Sequence, residues 1–348
     1  MARINPGFTK ELKSFGAFDV NACYNCGNCT AVCSLSDEDN SFPRKMVRLS
    51  VLGLDNEIKT SLEPWLCYYC GECSMTCPRE AEPGELMMSL RRWLIAGYDW
   101  TGLSGLLYRS LSATLTAFVL LVAGVIWFAA AQDFSIESLL HTGHYFEMFA
   151  IAGVFTFILL PNIFRMWLFT VHDKNVKIPV KTYFKTLGEL FVHMFTQKRT
   201  LGCDDSKTRW LEHLILVISY LMLLFTTVFL DWFGTQNPFI IAIGYIESAA
   251  IFIITMLFVT ERFRKKTEVS KHTHPSDWLF VVWLSLMGLT AFFVRLFIDM
   301  DILENNVWLY IVHLIILVQW ALIIVPFGKW THFLYRSFAM WFLKIVNN

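Results

Sequence analysis

The chain has 348 residues, of which 55% are hydrophobic, 16% aromatic and 17% charged, and its 29 basic residues balance 29 acidic ones. A net charge of zero leaves no basic excess for a polyanion, so no nucleic-acid partner is expected. The apolar weight argues against a chain that lives wholly in water.

The first informative stretch is CYNCGNCTAVC, residues 23–33, with four cysteines at gaps of two, two and three. The pattern returns in CYYCGECSMTCP, which ends in Cys77-Pro78. C-x2-C-x2-C-x3-C is the bacterial arrangement for [4Fe–4S] clusters. Its short gaps let three thiolates converge on one cubane while the fourth cysteine reaches the other cluster. The expected assignment is Cys23, Cys26, Cys29 and Cys77 on one cluster, with Cys67, Cys70, Cys73 and Cys33 on the second. Zinc knuckles and disulfides are the competing readings. Zinc sites usually pair two cysteines with two ligands at longer separation, and disulfides require an oxidising compartment. Residues 1–20 hold Lys10, Glu11 and Lys13 and no apolar run of signal length, so no cleavable signal is expected. Cys203 stands outside both runs and is read as a bystander.

Between the runs, PRKMVRLSVLGL has proline at a first helical position, then Met46, Val47, Leu49 and Leu52 at helical spacing. After the second run, PGELMMSLRRWLIAG offers Pro83 as a helix start and Gly97 as its end. The cysteine-bearing domain is therefore expected to be helical rather than β. It takes residues 1–98, a usual size for one domain.

Six apolar runs follow, near 110–131, 145–170, 211–233, 238–260, 277–298 and 307–328. Each is long enough to cross a bilayer core of about 30 Å. The expected fold class is all-α: a helical ferredoxin-type dicluster domain, then a six-helix transmembrane bundle over 99–348. Loops 171–210 and 261–276 are basic, as in HDKNVKIPVKTYFK and ERFRKKTEVSKH. Loops 132–143 and 300–306 carry Asp133, Glu137, Asp301 and Glu304 without Lys or Arg. The positive-inside rule then puts the basic loops, both termini and the cysteines on the cytoplasmic side of the inner membrane. The stretch 181–197 carries an apolar stripe and is read as lying along that interface, with His193 part of its surface.

Three histidines sit on the apolar runs. His213 opens the third, while His313 and His332 are nineteen residues apart on the sixth. At 1.5 Å per residue that is about 28 Å, nearly the bilayer core. His213 and His332 thus share the inner leaflet and are candidate ligands for a b-type haem between two helices. The competing reading is two interfacial histidines that bond head groups. Glu247, mid-way along the fourth run, and Arg295, in the outer third of the fifth, are candidates for a quinone site, because charges there are expensive. Alternatively they pair with each other, or Arg295 holds a haem propionate. No G-x-G-x-x-G occurs, so the chain is not expected to take hydride from a nicotinamide.

The segments AIAGVFTFILLPNIFRMW and VPFGKWTH resemble the first helix and the Pro-Phe-(small)-basic-x-x-His ending of the gamma subunit of respiratory nitrate reductase. His313 and His332 fall on that family's last-helix haem ligands. FPRKM, WLC and CPREAEPGEL resemble the C subunit of heterodisulfide reductase. The fusion of the two, together with RTLGCDDSKTRWLEHLILVISY, resembles the C subunit of the quinone-interacting membrane-bound oxidoreductase of sulfate reducers and sulfur oxidisers. That resemblance implies haem b, menaquinone as lipid-soluble partner, flavoproteins like the A subunit of heterodisulfide reductase, and adenylylsulfate reductase beyond them.

Two departures bear on the haem count. Where the nitrate reductase family has a histidine for its outer haem, ten residues after His213, this chain has Leu223. The last-helix spacing is also one residue longer, a rotation of about 100°, so a bulge near Pro326–Gly328 is expected. His144, at the outer start of the second helix, is the substitute partner for His313 in an outer haem. His141, placed in the loop proper, is the runner-up, and a single haem stays open. The same architecture fits a heterodisulfide-reductase-like complex or an electron-transferring-flavoprotein–quinone reductase. A haem-free membrane anchor is the remaining alternative.

Overall fold

The computed structural model describes residues 3–38, 40–174, 178–198, 201, 207–229, 234 and 236–347. Cys203 lies outside them. Among the described residues there are helices, turns and loops but no strand.

The amino-terminal part is built from short helices around one long one. Phe8–Ser14, Arg44–Val51, Asp55–Lys59 and Pro83–Tyr98 enclose a core of Phe8, Leu12, Met46, Val47, Ile58, Leu86, Met87 and Leu90. Arg44–Val51 buries Met46 and Val47 as its periodicity predicts, together with Ser50, while Leu49 is half-buried and Leu52 exposed; Pro43, one place earlier, is the cap residue. Pro83 opens its helix as expected. The helix runs one residue past Gly97 and is closed by Asp99, whose carboxylate accepts from Thr101 N at 3.0 Å and Ser104 N at 2.8 Å. Leu86, Met87, Leu90, Leu94 and Tyr98 are all at most 1% exposed. Burying each large apolar side chain contributes on the order of 1.5–3 kcal/mol, so this helix anchors the domain.

Among the described residues, six helices are long and apolar enough to cross a membrane: Leu111–Ala131, Ile136–Thr170, Lys207–Val228, Pro238–Arg264, Pro275–Asp299 and Glu304–Val346. They are numbered here as the first to sixth spans. Two differ from the sequence expectation. The second starts at Ile136 rather than near 145, because Ser135 caps it by accepting from Ser138 N and Glu137 sits in its first turn. His141, expected in a loop, is therefore inside the helix, and His144 lies a further turn in rather than at its start.

The sixth span does not run unbroken from His313 to His332. Val307–Gln319 widens into a π turn over Trp320–Ile324, stops after Phe327, and resumes as Thr331–Val346. The second span has the same device, a π turn over Phe155–Leu159. Both π turns end two residues before a proline, Pro161 or Pro326. Proline lacks the N–H and crowds the carbonyl four residues back, so the ladder must widen there. The expected bulge thus exists but begins at Trp320. The break follows at Gly328, where a Cβ would lie 2.6 Å from Ile324 O.

The two parts share a core. Trp65, Leu94 and Tyr98 pack with Met166, Tyr335 and Ala339 from the second and sixth spans. The helix Val180–Thr196 lies against Thr331–Val346, where Trp341 Nε1 donates to Thr186 Oγ1 at 3.1 Å. Its other face leaves Phe184, Phe191 and Phe195 exposed, the amphipathic character read from the sequence. His193 Nε2 stands 3.6 Å from Glu189 Oε2 on that surface.

Candidate functional site

The two cysteine runs adopt one backbone. Asn25 and Tyr69 have φ of 64° and 60°, Gly27 and Gly71 have 92° and 90°, and a single helical turn follows each glycine. This left-handed pair curls the chain around a centre, and Asn25 N and Tyr69 N donate to Cys23 Sγ and Cys67 Sγ at 3.4 and 3.3 Å. Ala81 N donates to Cys77 Sγ at 3.4 Å. N–H groups aimed at sulfur suit thiolates better than thiols.

Thiols of the two runs lie close to one another. The thiols beside Cys29 are Cys23, Cys26 and Cys77. Those beside Cys33 are Cys67 and Cys70. Burial pushes the Cys33 thiol up to about 11, opposed by an N–H from Leu35 and reinforced by Cys67 and Cys70. Burial also raises Cys29, Cys67 and Cys73, the last with Cys67, Cys70, Cys33 and Cys29 adding to it. All eight are free cysteines. Burial disfavours Cys29, Cys33, Cys67 and Cys73 as bare thiolates, and cationic iron would neutralise them.

A buried shell holds the second run in place. Arg91 donates to Pro64 O at 2.7 Å and to Cys67 O at 2.5 Å. Tyr69 OH donates to Glu85 Oε1, and Arg209 Nη1 donates to Tyr69 O at 3.1 Å. Burial pushes the Glu85 carboxyl up to about 7 against the opposing Tyr69 hydrogen bond and Arg92. A raised folded-state value means the folded protein prefers the protonated acid. Its contribution is whole below the ordinary value of 4.5 and is lost as pH rises through about 7. Glu85→Gln should therefore flatten the fall in thermal midpoint between pH 5 and 8. An unchanged pH profile in that variant would exclude Glu85 as its source.

Next to this shell sit His213 and His332. Trp65 is fully buried, two residues before Cys67, with its ring centroid 6.2 Å from that of His332. The charged and ionisable neighbours of His332 are Arg91, Arg336, Lys329 and His213. The structure therefore brings His213 and His332 together. His213 Nδ1 is buried with no hydrogen-bond partner among the described residues. A buried ring nitrogen without a protein partner is what a metal would satisfy, and the surrounding cations suit haem carboxylates, so these residues fit a haem.

One polar joint went unread in the sequence. Asp277 accepts from Arg92 Nη2 at 3.0 Å and from Lys329 Nζ at 2.9 Å, joining the helix Pro83–Tyr98 to the fifth and sixth spans. The single acid in the FGKW and HPSDW neighbourhoods was a signal, but nothing local says that these charges meet.

In the outer half, His313 Nδ1 is 2.8 Å from Thr290 Oγ1, whose hydrogen goes to Leu286 O at 2.8 Å. This contact engages Nδ1 and orients the ring. Tyr310, one turn from His313, presses on Gly143, beside His144. His141 and His144 both contact the Tyr145 ring, at 4.8 and 5.9 Å. Glu147, inside the expected second run but not singled out there, neighbours Tyr310. Arg295 donates through Nε to Asp299 Oδ2 at 3.1 Å, and Tyr245 OH donates to the same oxygen at 2.7 Å. Glu247 is half-buried in the adjoining fourth span.

Residues 22–82 match the family described as the 4Fe-4S dicluster domain. An iron–sulfur dicluster domain is present. The chain is also similar to a protein of Archaeoglobus profundus that resembles the C subunit of heterodisulfide reductase, 32% identical over 88 residues, or 25% of this chain. The match spans 47% of that relative, about half its length. No solved structure matches the chain. The protein thus combines an iron–sulfur electron-transfer domain with a membrane-spanning helical region.

Proposed function

We propose that this chain is the membrane electron-transfer subunit of a quinone-dependent oxidoreductase. Residues 1–98 form its cytoplasmic cluster domain and 99–348 its cytochrome b domain in the inner membrane. Cys23, Cys26, Cys29 and Cys77 hold one [4Fe–4S] cluster, and Cys67, Cys70, Cys73 and Cys33 hold the other. His213 and His332 hold an inner haem b. His313, oriented by Thr290, and His144 hold an outer one, with His141 the runner-up. When bound, these groups supply one-electron transfer.

The observation that carries the reading is Trp65, a fully buried side chain two residues before Cys67 whose ring centroid lies 6.2 Å from that of His332. It belongs to the apolar core that the cysteine-bearing part shares with the second and sixth spans. Arg91 holds the Cys67 backbone and lies beside His332, so one cation serves both sides of the joint. Glu247 and Arg295 are the candidate contacts for menaquinone. The similarity to a protein like the C subunit of heterodisulfide reductase supports flavoprotein partners of the kind found in that enzyme's A subunit, and adenylylsulfate reductase beyond them. Membership of a heterodisulfide-reductase-like or electron-transferring-flavoprotein–quinone complex is the alternative, separated by the proteins that co-purify.

The purified protein should carry about eight non-haem irons and show a b-type band in its reduced-minus-oxidised spectrum. Cys70→Ala should remove or convert one cluster and leave the other. Zinc in place of iron overturns the cluster reading. A spectrum without the b band reduces the membrane part to a haem-free anchor.

A further inference from the structure

A second group of metal-ligating side chains lies apart from the cysteines and the histidine pairs. Ligand atoms of Glu82, Glu268 and His272 all lie within 4.8 Å of one another. They come from two parts of the chain: Glu82 opens the helix Pro83–Tyr98, while Glu268 and His272 belong to the loop between the fourth and fifth spans.

Three features of these residues ask for a ligand. Glu82 stands at the cap position of its helix in a left-handed conformation, φ 46° and ψ 61°, that a non-glycine residue adopts only when its surroundings impose it. A carboxylate there ordinarily accepts from the first backbone N–H groups, yet Glu82 makes no such bond. It is 8% exposed, and its Oε2 is buried without a partner among the described residues. The chain bears backbone strain to direct this acid away from its own helix. On the other side, His272 Nε2 is also buried without a hydrogen bond. It faces Glu82 Oε1 at 3.9 Å, beyond hydrogen-bond reach, and its ring is held against Phe18 with centroids 4.5 Å apart. Glu268 completes the set, its stem packed on Gly71. Lys271 Nζ is 3.4 Å from Glu268 Oε1, which accounts for only one of that acid's oxygens.

We propose that Glu82, Glu268 and His272 bind one divalent transition-metal ion of the zinc class. Two carboxylates cancel its charge. The imidazole selects against magnesium and calcium, which prefer all-oxygen sites. Three protein ligands leave a fourth tetrahedral position for water. The ion would staple the cluster domain to the cytoplasmic loop beside Gly71, holding the second cysteine run over the membrane part. This site goes beyond the electron-transfer reading and does not depend on it.

The full-length protein, with its iron–sulfur content intact, is freed of loose metal with a chelator and titrated with zinc chloride. Metal analysis should find one zinc per chain with no loss of iron. Zinc X-ray absorption should show only oxygen and nitrogen neighbours, at about 2.0–2.1 Å. His272→Gln and Glu82→Gln should each weaken binding by more than the roughly 10–100-fold of an outer-shell change. Glu268→Gln serves as a third variant should either of these misfold. Absence of zinc uptake, unchanged affinity in the well-folded variants, or sulfur at about 2.3 Å would each overturn the proposal.

Discussion

Replacing Asp277 with alanine should loosen the joint between the cluster domain and the membrane spans more than any other single surface-remote change. The carboxylate is 8% exposed and accepts from two cations, Arg92 and Lys329, that approach from different helices. It also sits in the first turn of the fifth span, where a negative charge is favoured by the free N–H groups. Alanine would leave Arg92, 7% exposed in its side chain, with Phe15 O as its remaining partner, and would set it facing Lys329 without a counter-charge. Breaking a buried pair from one side costs about 3–5 kcal/mol. Lys329 is 30% exposed and can turn toward water, which puts the expected cost at the lower end. Asp277→Asn keeps the shape and one acceptor, so its loss should be smaller. Denaturant unfolding in detergent, read alongside protease release of the cluster domain, measures both. Stability of Asp277→Ala equal to the parent would mean that the shared apolar core alone holds the parts together.

Whether a feature was legible depended on how far apart its partners lie in the chain. The cysteine runs announce themselves because cluster chemistry is local: a gap of two fixes the curl, and Gly27 and Gly71 supply its left-handed turns. The six spans are legible for a similar reason, since a bilayer demands one long apolar run at a time. Helix ends were harder. Ser135 and Glu137 are good start signals, but the acidic residues around them read equally well as a loop, and His141 was misplaced with them. The prolines at 161 and 326 mark disturbed helix, yet the widening falls on the residues before each. Nothing local foretells the long-range meetings. Arg91 reaching Cys67 O comes from packing within the amino-terminal part, while Trp65 beside His332 and Glu82 facing His272 arise from how that part docks on the spans. Docking is a sum of many apolar contacts, none with a spacing of its own.

The inner histidines carry the second large prediction. His332→Ala should lose one haem b per chain while the iron of both clusters stays, because the cysteines and Arg91 are untouched. Menaquinol should then no longer reduce the clusters in that variant. His213→Ala should give the same loss, since its unpartnered ring nitrogen and His332 lie together. The outer histidine serves as internal control. His313 is held by Thr290 in another part of the bundle, so His313→Ala should remove an outer haem without disturbing the inner one. If the unmodified protein binds two haems, His144→Ala should match His313→Ala, and a haem that survives it transfers the ligand role to His141. If it binds one, the count should fall to zero in His332→Ala and stay at one in His313→Ala, leaving His313 to hydrogen-bond a quinone. Full haem content in both His213→Ala and His332→Ala would sink the inner assignment. The buried histidine nitrogen and its ring of cations would then be structural features of the joint, and the path from Trp65 would end without a redox partner.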